Sequence, residues 1–210
     1  MTADQAGVST SIRVERYEAD AARWARARLA LPVLADLSPA QLAQAGVRPY
    51  SVTEDHDCNM WLLAAWTVML GGISGTTITN KFASGFGRIG WGTSTAGVVA
   101  TQTSLQGDTG GGSTTSYYQL CGVAPTVTVA AAPATMVFTA THGAGVANFA
   151  WNEFGTDNWN ASGVTAQGLG ATEVFVNRGL SPQGTKQAGQ IWVTTETISF
   201  GYPSATGAVS

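Results

Sequence analysis

The sequence predicts a mainly β protein: an antiparallel, jelly-roll-like β-sandwich with an α-helical N-terminal extension. Three observations support this. Beyond residue 75, short β-branched and aromatic runs alternate with glycine-rich turns, the pattern of a sandwich. Residues 1–58 carry 14 Asp, Glu, Lys or Arg side chains, whereas residues 59–210 carry nine. An apolar stretch of 14 residues, 60–73, separates the two regions. We therefore expect a docking arm with helices at 1–58, a buried helix at 59–75 and a β-sandwich domain at 76–210.

The first predicted element is a helix from Arg13 to Ala30, after an irregular arm over residues 1–12. Alanine and arginine, both strong helix formers, dominate this segment. Acidic residues come early and arginines late, which suits the helix dipole, and Pro32 ends the helix. The arginines are interpreted either as a solvated face or as a contact with the acidic surface of a partner. The apolar positions at helical spacing are Val14, Tyr17, Ala21, Trp24 and Leu31.

A second, short helix is predicted from its end signals. Ser38 is placed to cap it, Pro39 takes the first helical position, and Gln41 completes a capping box. Gly46 follows as the terminator. The chain then has an extended pattern over residues 47–53.

The run from Glu54 to Cys58 contains four metal-ligand residue types, yet we predict no metal site there. Neighbouring residues of a strand point in opposite directions, and the run lacks a paired Cys or His motif. An acidic cap before the next helix is the preferred interpretation.

The apolar stretch 60–73 is predicted to be a helix that is buried on every side, because it is apolar on every side. It is shorter than the roughly 20 residues that a membrane-spanning helix needs. We expect it to close one end of the β-domain or to pack against a neighbouring subunit. No membrane partner is expected.

The remaining chain is predicted to form strands, with residues 146–155 at the centre of a sheet. Phe149 and Trp151 share one face of that strand, and Phe154 lies one step out of phase. The other predicted strands are 76–82, 88–92, 117–120, 126–130, 135–141, 172–178 and 190–200.

Glu153 is the most informative charge, because it lies among aromatic residues in a region with little charge. A glycosidase could pair it with Glu173, since such enzymes use two carboxyls about 5–10 Å apart. A half-buried glutamate more often pairs with a cation, and Arg178 and Lys186 are the candidates. We therefore predict a structural ion pair and no catalytic residue.

Other chemistry finds little support. His56 and His142 lack a nucleophile motif, and the glycines at 107–112 are not followed by the Lys-Ser/Thr of a phosphate loop. Among the aromatic residues that could stack on a sugar, Trp159, in a polar loop, is the first candidate, whereas Trp151 and Trp192 are interpreted as core residues. No cofactor is expected.

Composition limits the partners further. The net charge is −3 and no basic stripe is present, so no nucleic acid partner is expected. No signal peptide is visible at the N-terminus. Cys58 and Cys121 are interpreted as two small buried thiols, with a disulfide as the alternative.

Several short motifs, in order over residues 45–200, resemble a family of tailed-bacteriophage virion structural proteins. The nearest match is Asn148-Phe149-Ala150-Trp151-Asn152-Glu153-Phe154-Gly155. Other matching pieces are Ala45 to Thr53, Phe86 to Gly92, Thr101 to Gly107, Val137 to Gly143, Val176 to Arg178, Gly184 to Lys186 and Trp192 with the Thr-rich strand after it. The Arg- and Ala-rich helix predicted at 13–30 has no counterpart in the family.

The resemblance implies a non-enzymatic component of the virus particle, first of all a capsid decoration (cement) protein that docks on the major capsid protein or another virion protein. A tail or head-fibre protein with a receptor-binding β-domain is the alternative. We expect a homo-oligomer, for which a trimer is one arrangement, located in the virion. The residues expected to contact the partner are Arg13, Tyr17, Trp24, Arg28, Trp61 and Trp66.

Overall fold

The computed structural model describes residues 8–32, 37–56, 59–74, 87–108, 114–129, 133–158 and 175–201. These residues form ten strands and three helices. The strands are β1 (Val8–Tyr17), β2 (Ser51–His56), β3 (Asn59–Trp61), β4 (Arg88–Gly92), β5 (Ser116–Leu120), β6 (Thr126–Thr128), β7 (Ala134–His142), β8 (Ala150–Asp157), β9 (Phe175–Thr185) and β10 (Ile191–Phe200). The helices are α1 (Ala21–Leu29), α2 (Pro39–Gln44) and α3 (Leu63–Ile73).

The strands form two antiparallel sheets, so the prediction of a mainly β protein is confirmed. Sheet A has the order β2-β1-β10-β7-β6, and sheet B has the order β3-β9-β8-β4-β5. Side chains from both sheets meet in one apolar core, as the two layers of a sandwich do. The jelly-roll-like connectivity stays a prediction.

Aromatic rings fill the centre of this core. Trp91 of β4 stacks on Trp151 of β8 with ring centroids 4.4 Å apart, and Trp192 of β10 meets Trp151 edge to face. A shift in pairing between β8 and β9 falls between Trp151 and Glu153. Phe154, which the sequence places out of phase, therefore also joins the core beside Trp91.

The helix predicted to begin at Arg13 is wrong in its first part. Residues 8–17 form β1, which pairs with β10 on one side and β2 on the other. Along this strand Ile12 and Val14 are fully buried while Arg13 between them is exposed, a period of two. Pairing on both sides overrides the helix propensity of alanine and arginine, and the helix starts only at Ala21.

Sheet A also continues across the boundary suggested at residue 58. Strands β1 and β2 come from the N-terminal region, whereas β10, β7 and β6 come from the later part of the chain. The N-terminal region therefore contributes an integral part of the β structure as well as α1 and α2.

Helices α1 and α2 pack beside sheet A around a second apolar cluster. Ala25 and Leu42, one from each helix, are fully buried there together with Ile191 and Val193 of β10. The capping box predicted for α2 is confirmed, because the Gln41 N–H donates to the Ser38 hydroxyl and the Gln41 side chain accepts from the Ser38 N–H.

The apolar stretch 60–73 departs from its prediction in where the helix begins. Its first residues form β3, which pairs with β9, and the helix α3 begins at Leu63. Leu62 and Ala65 are buried, but Leu63 and Leu70 remain 58% and 57% exposed. Within one chain the fold covers only one side of this helix, so burial on every side, against a neighbouring subunit, stays a prediction.

Most predicted strands of the later region are found, with shifted ends. The segments at 88–92, 117–120, 126–130, 135–141 and 190–200 correspond to β4, β5, β6, β7 and β10. The central strand begins at Ala150 rather than at residue 146, and β9 extends to Thr185. The strand predicted at 76–82 lies outside the described residues.

Candidate functional site

The outer face of sheet B, which points away from the aromatic core, carries a buried ion pair at its centre. The Arg178 Nε donates to Glu153 Oε2 at 2.6 Å, and both side chains are fully buried. Strands β8 and β9 are neighbours, so the pairing of the strands brings the two side chains together. The predicted pairing of Glu153 with Arg178 is confirmed.

The segment 93–108, here called the covering loop, encloses this pair. The backbone N–H groups of Gln106 and Gly107 donate to the two oxygens of Glu153 at 2.9 and 2.6 Å. Arg178 donates in turn to the carbonyls of Ala96 and Gly97. The ion pair therefore fixes the loop to the sheet, and the loop removes the pair from water.

A second buried pair lies on the same face. The Arg88 Nε of β4 donates to both oxygens of Asp157 of β8, at 3.0 and 3.1 Å. The guanidinium also stacks over the Tyr118 ring, 4.9 Å from its centroid. Burial raises the pKa of Tyr118 well above its ordinary value, so its hydroxyl stays protonated. Two charge pairs therefore hold β4, β8 and β9 together from outside.

Glu196 of β10 is a different case, because it is buried in the interior between the sheets. Its carboxyl accepts hydrogen bonds from the Asn177 side chain at 2.7 Å and from the Thr156 hydroxyl. Burial raises the pKa of Glu196 to about 7, and the hydrogen bonds from Thr156 and Asn177 oppose that rise. This carboxyl therefore titrates near neutral pH.

Lys186, the alternative cation for Glu153, lies elsewhere and makes other contacts. Its Nζ donates to the carbonyls of Gly143 and Val146 and to the side-chain oxygen of Asn148, all within 2.9 Å. The turn at 143–148 supplies these oxygens, so the ammonium secures the turn that leads into β8. Burial lowers the pKa of Lys186 to about 8.

His142 and Cys121 are buried as well. The His142 ring lies 4.7 Å from the Trp151 ring, and burial, followed by the nearby Lys186 charge, lowers its pKa to about 3. Cys121 is a free thiol whose pKa burial raises. A neutral imidazole and an un-ionised thiol both have the character of core residues.

The six residues expected to contact a partner divide into two groups. Four of them are exposed, namely Arg13, Trp24, Arg28 and Trp66. Tyr17 is 3% exposed, because it ends β1 against the cluster around α1 and α2, and it is corrected to a core residue. Trp61 is half-buried beside the core and meets Phe200 edge to face. Trp159, the candidate for a sugar contact, lies outside the described residues.

Helix α1 presents a groove of about 570 Å³ to the outside. The described residues that line it are Arg23, Trp24, Ala27 and Arg28. Trp24 is 62% exposed, although tryptophan is seldom so open. Arg23 meets Asp20 only at 3.4 Å, in a pair that is largely exposed to solvent.

Helix α3 presents the second open surface, here called the α3 face. It consists of Leu63, Trp66 and Leu70, which follow one another at helical spacing, with Met60 of β3 before them; all four are exposed. The sequence has no charged residue between positions 58 and 80. Trp66 also contacts Trp61, which joins this face to the edge of the core.

Sequence reasoning missed several of these partners. The Arg88–Asp157 pair joins residues 69 positions apart, and the Glu196 partners lie on other strands. One signal was available: in a region with nine charges, each buried charge needs a partner. The covering loop had no such signal, since it binds Glu153 through backbone groups that every sequence has.

Comparison with known proteins adds no relative. No family profile, no curated protein and no solved structure matches this chain. Within the described ranges, no group of three or more His, Cys, Asp or Glu is arranged to hold a metal ion. Likewise, none of the helices among those residues has the length and apolar character needed to cross a membrane.

Proposed function

We propose that the protein is a non-enzymatic structural component of a tailed-phage particle, a capsid decoration protein that docks on the major capsid protein and stabilises the shell. The observation that carries this proposal is a separation of roles among its charges. On sheet B, the buried charge pairs hold strands and a loop, whereas the exposed tryptophans and the groove lined by arginines lie on helices. The motifs over residues 45–200 that resemble virion proteins support the same conclusion.

The state of the carboxyls supports a non-enzymatic role. Glu153, Asp157 and Glu196 are each 0% exposed. The first two accept from arginines, and the third accepts from Thr156 and Asn177. A glycosidase needs an acid and a second carboxyl that reach the same sugar. Glu153 is enclosed by the covering loop, so it is a poor candidate for either role.

The α3 face supports the proposed homo-oligomer. An exposed surface of large apolar side chains is characteristic of a protein interface. Because this helix has no charge, two or three copies can meet there without repulsion between like charges. Light scattering would test this. Leu70→Glu should lower the oligomer mass to that of the single chain, while Val127→Glu, on an exposed strand, should leave it unchanged.

The function itself is tested by counting copies in purified particles with quantitative mass spectrometry. Hundreds of copies in each particle would support shell decoration. A handful would place the protein at the tail or a vertex and favour the alternative, a tail or head-fibre protein. Absence from the particles would overturn the proposal, as would failure of the purified protein to bind particles that lack it.

A further inference from the structure

We propose that the groove on α1 binds an acidic protein segment with an apolar side chain at its centre. That the segment belongs to the shell protein rests on the proposed function; that the groove selects this chemistry does not. Three features of α1 carry the inference: its orientation in the fold, the exposed Trp24, and the excess of positive charge around it.

The packing of α1 decides which side is open. Ala21, Ala22 and Ala25 face inward, where their small side chains let the helix approach α2 and sheet A closely. The opposite side carries Arg23, Trp24, Ala27 and Arg28 around the groove. The large and charged side chains of α1 are therefore directed outward by the same packing that anchors the helix.

Trp24 supplies an apolar anchor point. Most of its surface is open to solvent, and beside it Ala27 leaves room that a larger residue would fill. Tryptophan and arginine are the residues most enriched where binding energy concentrates in protein interfaces. One leucine or phenylalanine side chain of a partner could lie against the indole and displace water from it.

The arginines define the charge of the partner. Arg23 and Arg28 line the groove together with Trp24, and Arg26 adds a third positive charge to the helix. Near the groove, the Asp20 carboxylate reaches Arg23 at 3.4 Å in a solvent-exposed contact, which holds it weakly. A guanidinium binds a carboxylate through two parallel N–H donors, so glutamates or aspartates that flank an apolar residue would fit this arrangement.

An acidic protein segment fits better than a nucleic acid. Polyanions bind through many phosphate contacts, and the chain as a whole has a net charge of −3. The three arginines of α1 lie within one helix of nine residues, which is too few for many phosphate contacts. A second copy of this chain is also disfavoured, because two such arginine-rich faces would repel each other.

Binding can be tested on the isolated full-length protein by following backbone amide signals in NMR titrations. The first probe is a short synthetic peptide of glutamates around a central Leu-Phe pair. Its matched control replaces each glutamate with lysine, and a single-stranded oligothymidine provides the nucleic acid probe. We expect the acidic peptide to shift the α1 signals, and the lysine peptide and oligothymidine to leave them in place.

Two variants and two matched controls locate the contact. Arg28→Glu should weaken peptide binding by about tenfold, the equivalent of 1.4 kcal/mol, and Trp24→Ala should weaken it similarly. Arg48→Glu makes the same charge change at an exposed arginine outside the groove, and Tyr50→Ala removes an exposed aromatic side chain that lies outside the groove and the α3 face; neither should alter binding. Equal loss in the controls, absence of α1 shifts, or preference for oligothymidine would overturn the inference.

A second arm separates this inference from the proposed function. Wild-type and Arg28→Glu protein are added to particles that lack the protein, and the bound copies are counted. Loss of binding in the variant supports the groove as the docking surface. Equal binding of both proteins overturns the groove and leaves the decoration role intact. If neither protein binds while the peptide still does, the proposed function fails and the groove stands.

Discussion

The outer face of sheet B and the exposed side of α1 use the same residue type in opposite ways. Arg178 is fully buried and donates to Glu153 and to carbonyls of the covering loop. Arg23 is 81% exposed, and its pair with Asp20 is open to water. The buried arginine is needed for the fold, whereas the exposed one can be exchanged at little cost in stability. Burial therefore predicts the role of a charge here better than local charge density does.

Breaking the buried pair should have the largest effect. Glu153→Gln removes the charge that compensates Arg178 and sets an amide among N–H donors. We expect a loss of about 3–5 kcal/mol in the free energy of unfolding, as for other buried pairs with one partner removed. Urea unfolding followed by circular dichroism measures it. A variant of full stability that had lost a hydrolytic activity would contradict the structural role and restore Glu153 as a catalytic residue.

Glu196 sharpens the comparison, because it is a buried carboxyl whose described partners, Thr156 and Asn177, are neutral. Its pKa is about 7 in the folded protein and 4.5 in the unfolded chain, so the folded state holds its proton more tightly. The stability from this group is full below pH 4.5 and is lost as pH rises through 7. By linkage, the loss amounts to about 3 kcal/mol.

The comparison with Glu196→Gln isolates this effect. The pKa of His142 is lowered to about 3, so the stability that this residue contributes is lost as pH falls below 6.5. The pH dependence of wild-type stability therefore combines two opposite trends, one from Glu196 and one from His142. Both proteins contain His142, and its contribution cancels in the difference. We expect the wild type to lose stability relative to the variant between pH 5 and pH 8 in urea titrations. A difference that does not vary with pH would contradict the raised pKa.

A substitution at Gly92 can displace the covering loop from the sheet without changing any charge. A methyl group at Gly92 would meet the Glu153 carboxylate, so Gly92→Ala forces the carboxylate and the loop above it to shift. Overpacking of this kind costs about 1–3 kcal/mol. Gly97→Ala, in the covering loop itself, is the matched control, because a Cβ there meets no atom within 4 Å. Thermal unfolding of both variants checks the expectation, which equal stability would refute.

The smallest effect is expected at an exposed pair. Arg13 donates to Glu15 at 2.9 Å on β1, with its side chain 46% exposed. Arg13→Gln should cost less than about 1 kcal/mol, because water competes for both partners. Urea unfolding of Arg13→Gln and of Glu153→Gln under the same conditions compares their losses in the free energy of unfolding. A similar loss in both variants would remove the distinction between the two kinds of charge.

How far the sequence could go depends on the range of the interactions involved. The Glu153–Arg178 pair was predictable because charge is scarce and a buried charge needs a partner. The choice between Arg178 and Lys186 could not be predicted, since it depends on the pairing of β8 with β9. Residues 13–17 were misassigned because local propensity favours a helix, while the partners that make them a strand lie on β10 and β2.

The helices show the same limit. The ends of α2 were predicted correctly because a capping box is written in adjacent residues. The α3 face was not predicted, because an apolar run does not show which side of its helix will be covered by the rest of the chain. The groove on α1 was anticipated only as an arginine-rich face. The inward-facing alanines that orient Trp24 could not be identified before α2 and sheet A were in place.

The position of β1 between β2 and β10 has a consequence for biosynthesis. Val8 pairs with Phe200 and Tyr17 with Ile191, so β1 can pair with β10 only after strands β2 to β9, which lie between them in the chain, have been made. Such long-range pairing makes folding slow, since a large loop must close before the contacts form. Sheet A is therefore completed only after β10 has been synthesised, and until then the edge of β1 that later pairs with β10 is open to misassembly.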